Sequence, residues 1–166
     1  MADKNMDATQ LLTADHRKVE GLFADFEQAS GASAKRKLVE QICNELKVHA
    51  TIEEEIFYPA LRGKIDDALL DEAYVEHDGA KVLINDLEEA ETNEDFYDAK
   101  VKVLSEEIEH HVTEEEKERD NMFQQARASD VDLDALGRQM EARKEELKAQ
   151  AAAGGLPPAQ PTAVNV

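Results

Sequence analysis

Cysteine, tryptophan, glycine and proline are scarce in this chain: of 166 residues one is Cys, none is Trp, 7 are Gly and 4 are Pro. The lone Cys43 excludes an internal disulfide and any paired-Cys zinc or redox motif, and it fits a reducing compartment. Aromatic residues make up only 5%, while Glu, Ala, Leu and Lys are abundant, a balance that favours helices over sheets. Basic residues are also short. Nineteen Lys and Arg face 38 Asp and Glu, a formal charge of -19. Such a charge repels phosphates and anionic lipid, so neither a nucleic acid nor a membrane is expected as a partner. No run approaches the ~18–20 apolar residues of a bilayer span, and the opening MADKNMDATQ lacks the basic-then-apolar order of a secretory signal; the expected address is the cytoplasm.

What the chain does have is apolar residues at three- and four-residue steps, cut by turn signals into four long segments. The first helix is expected from about Ala8 to Ala29, with Asp7 and Gln10 spaced as a capping box and an inward stripe of Leu12, His16, Val19, Phe23 and Phe26. The second, from about Ala34 to Leu61, carries Leu38, Ile42, Cys43 or Leu46, His49, Glu53 and Phe57, with Pro59 perturbing its last turn. The third, from about Asp67 to Glu91, carries Leu70, Ala73 or Tyr74, His77, Ile84 and Leu87. The fourth opens near Thr92-Asn93 and runs to about Ala128 through Val101, Leu104, Ile108, His111, Glu115, Met122 and Phe123. Short loops make consecutive helices antiparallel neighbours, so the expected architecture is all-α: an up-down-up-down four-helix bundle over residues 1–128. An additional C-terminal helix follows at 129–152, with Leu136, Met140 and Leu147 on one side. A disordered tail, rich in Ala, Pro and Gly, is expected at 153–166.

Four of the five His fall on the inward stripes, one per bundle helix. A stripe covers about three-sevenths of a helix, so chance alone gives this about a few per cent of the time. His49-x-x-x-Glu53 and His111-x-x-x-Glu115 each stack an imidazole and a carboxylate on one helix face. At ~1.5 Å per residue, His16 and His49 both stand some 20 Å from the first turn, and His77 falls level with His49 and Glu53; the match to His111 and Glu115 is looser. Four imidazoles and two carboxylates in an apolar core are costly without a cation. The set is too large for one tetrahedral zinc and too nitrogen-rich for calcium or magnesium. It suits two transition-metal ions spanned by Glu53 and Glu115, iron first and manganese second.

The series Asp15-His16, His49-x-x-x-Glu53 with Glu54, Glu55 and Phe57-Tyr58-Pro59, Glu76-His77, and His110-His111-x-x-x-Glu115 resembles the bacterial hemerythrin-like, or HHE cation-binding, domain over about residues 10 to 127. The resemblance implies a four-helix bundle around a non-haem di-iron centre that binds, senses or scavenges dioxygen, peroxide or nitric oxide. Its implied ligands are His16, His49, Glu53, His77, His111 and Glu115. The third helix lacks the second His of the oxygen carriers, since Ala73 and Lys81 stand one turn either side of His77, and the fourth has His-x-x-x-Glu where carriers space an Asp further on. One coordination position is therefore left to water or to Glu54, Tyr74 or Glu114, which favours reactive or sensing roles over stable oxygen carriage.

The remaining polar and aromatic residues have plainer expected roles. Phe23, Phe26, Phe57 and Phe123 pack the core, some of them shielding the centre from water. Tyr58 and Tyr74 pack with solvated hydroxyls, with a hydrogen bond to a ligand or a bound oxygen species as the alternative, and Cys43 is a buried, inert thiol. Asp15 and Glu76 stand either behind a ligand or in solvent, His110 lies at the surface or behind a ligand, and Glu54, Glu55, Glu114 and Glu116 form solvated helix faces. The alternatives to a ligand-binding protein are a catalase-like or oxidase-like enzyme, and an acidic helical module that docks a protein partner through the C-terminal helix.

Overall fold

The computed structural model describes residues 5–165. Residues 1–4 of the expected bundle unit and Val166 of the expected tail lie outside the described residues. Helix α1 spans Ala8–Gln28, and its capping box forms: Asp7 Oδ1 accepts from Gln10 N at 3.0 Å, and Asp7 N donates to Gln10 Oε1 at 3.0 Å. Helix α2 begins at Ala32 after Gly31, whose φ of 92° suits only a residue without a Cβ. It runs to Ile52, widens into a π turn at Glu53–Phe57, and closes with one α-helical turn at Tyr58–Leu61. Pro59 gives the reason for the widening, because it offers no N–H and its ring would strike the carbonyl four residues back in a regular helix. Helix α3 spans Asp67–Glu89, capped by Asp66.

Helix α4 departs from the sequence expectation at both ends. It starts at Tyr97 rather than near Thr92, because Glu91 N bonds the Glu94 side chain and Glu94 N bonds the Glu91 carbonyl, which closes a turn where helix was expected. After Val112 a second π turn, Thr113–Lys117, ends the helix, and Asp120 takes a left-handed φ of 55°. Asn121 and Gln124 then form a capping box that opens a separate helix α5, Met122–Ala128. The polar run between them has no apolar residue with which to stay packed.

The four long helices pack as a closed ring, α1 on α2, α2 on α3, α3 on α4 and α4 on α1. Two apolar clusters fill it. One gathers Leu12, Ile52, Phe57, Leu61, Leu70 and Phe123; the other gathers Val19, Phe23, Ile42, Leu46, Ile84 and Leu104. Each such side chain contributes about 1.5–3 kcal/mol on burial. Between the clusters lies a layer of His and Glu.

Helix α6, Leu133–Gly154, lies against α1 and α2 and spends its apolar face there: Leu136, Met140 and Leu147 join the first cluster. Of the two uses the stripe suits, the bundle or a partner, the structure shows it against the bundle. Contact is close at Gly137, where a Cβ would come within 2.4 Å of the Met6 carbonyl oxygen. The tail, expected to be disordered, is set against the bundle. Beyond Gly155 the chain lies along α2 and α3, its backbone groups bonded to Lys47, Asp78 and Asn85. Low hydrophobicity did not prevent this, since the anchoring uses backbone amides, which every composition supplies.

Candidate metal centre

The π turns and the stripes bring six side chains to one level. His16 on α1 and His49 on α2 approach with their Nε2 atoms 3.1 Å apart; His77 on α3 and His111 on α4 do the same at 3.2 Å. Glu53 and Glu115 touch both pairs. Glu53 Oε1 lies 2.5 Å from His49 Nε2 and 3.7 Å from His77 Nε2, while Glu115 places Oε1 2.8 Å from His111 Nε2 and Oε2 3.4 Å from His16 Nε2. All six are buried, the imidazoles at 4–7% exposure and the carboxylates at 0–1%. Every residue singled out from the sequence as a ligand is therefore in the cluster.

The outward nitrogens are just as ordered. Each Nδ1 faces a carboxylate from a neighbouring helix: His49 faces Asp15 at 3.1 Å, His77 faces Glu54 at 3.2 Å, His111 faces Glu76 at 2.8 Å and His16 faces Glu116 at 3.2 Å. The pairing runs around the ring, from α1 to α2, α2 to α3, α3 to α4, and α4 back to α1. Three of the carboxylates have a cationic partner in turn, Lys144 on Asp15, Lys81 on Glu54 and Arg17 on Glu116, and Glu76 lies 3.3 Å from His110 Nε2. Glu54 and Glu116 are thus part of the site rather than the solvated faces expected from their position one step off the stripe.

With the proton held at Nδ1 by a carboxylate, each Nε2 presents a lone pair to the centre. Four lone pairs then meet two carboxylates. Both oxygens of Glu53 and Oε2 of Glu115 are buried without a hydrogen-bond donor, an arrangement that costs several kcal/mol per group unless a cation lies between. The residues present fit metal ions. In their absence protons are drawn in: burial alone would lower the His49 pKa, but Glu53 and Asp15 lift it to about 10. His111 is raised well above its ordinary value against the same desolvation, chiefly by Glu115. Burial would raise Asp15, yet His49 and Lys144 hold it at about 2.

Tyr58 is the residue that sequence reasoning placed elsewhere. It is fully buried, donates to Glu115 Oε1 at 2.6 Å, and sets its hydroxyl 3.3 Å from His77 Nε2 and 3.4 Å from His111 Nε2. The side chains expected to fill an open position are engaged otherwise. Glu54 holds His77 Nδ1 and Lys81, the Tyr74 hydroxyl donates to the Glu54 carbonyl, and Glu114 pairs with His110. The signal for Tyr58 was the Glu53–Tyr58 step of five, which meets one face only across a π turn of the kind Pro59 induces.

The other expected roles fall into place around the site. His110 is 63% exposed and joins Glu72, Glu76 and Glu114 on the outer face of α3 and α4, where burial and the neighbouring Glu76 and Glu72 push the Glu114 carboxyl up to about 7. Phe123 stacks on His16 with its ring 3° from parallel, and Phe57 packs beside Phe123, whereas Phe23 and Phe26 belong to the far cluster. Cys43 is buried, and its thiol is pushed up to about 12 by that burial and by Glu88.

A ring of four antiparallel helices holding His and Glu at one depth defines a helical cation-binding bundle. The hemerythrin HHE cation binding domain model matches residues 7–126, and the chain belongs to that family. A crystal structure of a hemerythrin HHE cation binding domain-containing protein from Mycobacterium kansasii has the same fold, with a TM-score of 0.76 at 24% identity over 91% of this chain and 95% of that one. A curated relative, a DNA nickase of Nostoc sp., is 26% identical over 113 residues; the match spans 68% of this chain and about a third, 32%, of that protein. Among the described residues, no helix is long and apolar enough to cross a membrane.

Proposed function

We propose that the chain holds a non-haem di-iron centre, with His16, His49, Glu53, His77, His111 and Glu115 as ligands and Tyr58 at the position left open by the third helix. Its function is to bind, sense or scavenge dioxygen, peroxide or nitric oxide. The observation that carries this reading is the convergence of four Nε2 atoms and three unpartnered buried carboxylate oxygens, with an acid behind every imidazole. Two carboxylates that each reach both His pairs suit two ions rather than one, and the nitrogen-rich donor set favours iron, with manganese second. When bound, the metal pair would supply Lewis acidity and one-electron chemistry.

The chain's own residues do the rest. Asp15, Glu54, Glu76 and Glu116 keep the imidazole protons at Nδ1 and fix the ring planes. Phe57 and Phe123 exclude water from one side, and a cavity of about 430 Å³, walled in part by Val19, Leu46, Ile84 and Ile108, reaches the imidazoles from the other. Elemental analysis with an optical spectrum after air exposure tests the reading. About two irons per chain and the near-ultraviolet charge-transfer absorption of a coupled ferric pair are expected; less than one metal per chain without that absorption rejects it.

A peroxide-consuming enzyme is the second reading, favoured by the Tyr58 hydroxyl, a proton donor set against Glu115 and two imidazoles. Sustained oxygen evolution from peroxide separates this from a binder, which gives only a stoichiometric change. The charge of -19 supports a small-molecule ligand over a nucleic acid, and a cytoplasmic protein accords with the single buried thiol.

A further inference from the structure

The family match ends at residue 126, yet the segment after Gly155 is fastened to the bundle at four places. Asp78, only 2% exposed, accepts the backbone N–H groups of Thr162, Ala163 and Val164 at 2.8, 2.6 and 2.7 Å. Asn85 exchanges two hydrogen bonds of 2.8 Å with the backbone of Ala159. Lys47 donates to the Leu156 carbonyl at 3.4 Å. The Thr162 hydroxyl donates to Glu54 Oε1 at 2.5 Å, and Glu54 is the acid behind His77.

The fastened stretch lies over an opening. The cavity that meets His16, His49, His77 and His111 is lined on its outer side by Leu156, Pro157, Pro158, Ala159, Gln160 and Thr162. Ala50 of α2 and Ala80 of α3 leave little side chain to close the gap between those helices, and the tail lies across it. Pro157, Pro158 and Pro161 stiffen the crossing and reduce the entropy lost on docking. Leu156 packs against the first apolar cluster, but most of the stretch beyond it is exposed and stays down through these hydrogen bonds, which makes it the weakest wall of the cavity and the first to open.

We propose that residues 156–164 form a latched roof that controls which molecules reach the four imidazoles, with Asp78 and Asn85 as the latch. The roof acts on the site given under the proposed function, but access to the imidazoles is measurable without metal, so the two can fail separately. The test uses the full chain, metal-free, carrying Ala159→Pro and Ala163→Pro. These changes delete one latching N–H at each anchor and leave every bundle residue untouched. Diethylpyrocarbonate labelling is followed residue by residue by mass spectrometry, with the exposed His110 as internal reference. Losing two hydrogen bonds is expected to speed labelling of His16 and His77 relative to His110 by about tenfold. An unchanged ratio overturns the proposal, whatever the metal content of the wild-type protein proves to be.

Discussion

The two halves of the centre are near copies. His16 and His49 meet edge to face at 4.8 Å between ring centroids and 60°; His77 and His111 meet at 4.8 Å and 63°. Each half has an acid one residue before its first His, which supports the second. Each also has a π turn that starts within two residues of its Glu, and an acid one residue after that Glu supporting the first His of the other half. The likeness ends in the ring above. His16 is covered by Phe123, stacked at 6.0 Å, and His77 by Tyr58, tilted at 5.5 Å. One half therefore has an apolar lid with no donor atom, and the other has a phenol bonded to Glu115. The backbone explains the difference: five residues beyond Glu53 the helix continues into Tyr58-Pro59, whereas five beyond Glu115 it has already broken, at Asp120 with φ 55°. The proposed centre would therefore have a hydroxyl on the His77–His111 side and none on the His16–His49 side.

Removing what the halves share has the largest effect. Glu115→Ala takes a carboxylate from both pairs, so metal content by elemental analysis is expected to fall below one per chain. Because ligand binding to the native state adds to its stability, the melting temperature should drop by about 5–10 °C. Equal metal content in variant and wild type would break the idea that Glu115 serves both halves. Next come the acids behind the imidazoles. Asp15→Asn should weaken the first half and Glu76→Gln the second, each by about 10–100-fold in metal affinity. Equilibrium competition with a chelator measures both, and two near-equal losses would confirm that the halves are built alike.

Tyr58→Phe makes the two lids alike. It should leave metal content unchanged and cost about 1 kcal/mol, the worth of the hydrogen bond to Glu115. It should also remove any visible absorption that depends on a phenol near the metal. Absorption that persists in the variant would place the phenol outside the centre.

The reach of the sequence differs between these parts for a physical reason. The stripe positions of His16, His49, His77 and His111 follow from a regular period of 3.6 residues, which is local and survives folding. Tyr58 escapes that period because a π turn shifts the register by one residue between Glu53 and Tyr58. Glu54 and Glu116 sit one step off the stripe, and only the approach of a neighbouring helix turns that edge into part of the site. The break before Asn121 carried a legible signal, the Asn121–Gln124 capping box, that the apolar pattern of Met122 and Phe123 outweighed. The docking of the tail left no signal, since amide groups bonding Asp78 have no counterpart in side-chain pattern.

The smallest expected effect concerns pH, and it separates protons from metal in the first half. In the metal-free chain the His49 pKa rises from 6.5 to about 10, so its contribution to stability is complete below pH 6.5 and is lost as pH climbs through 10. Asp15 falls from 3.8 to about 2, so its contribution is complete above pH 3.8 and is lost as pH drops through 2. Together they make the metal-free fold most stable between roughly pH 4 and 6.5 and weaken it by a few degrees in melting temperature toward pH 9. Metal binding would run the other way, because an ion held at His49 Nε2 would take the place of the proton facing Glu53 while Asp15 keeps the one at Nδ1, so affinity would rise with pH over the range in which metal-free stability falls. Calorimetric melting of both forms from pH 5 to 9 tests this. If the metal-free and metal-loaded curves fall in parallel, His49 does not exchange a proton for metal and is no ligand.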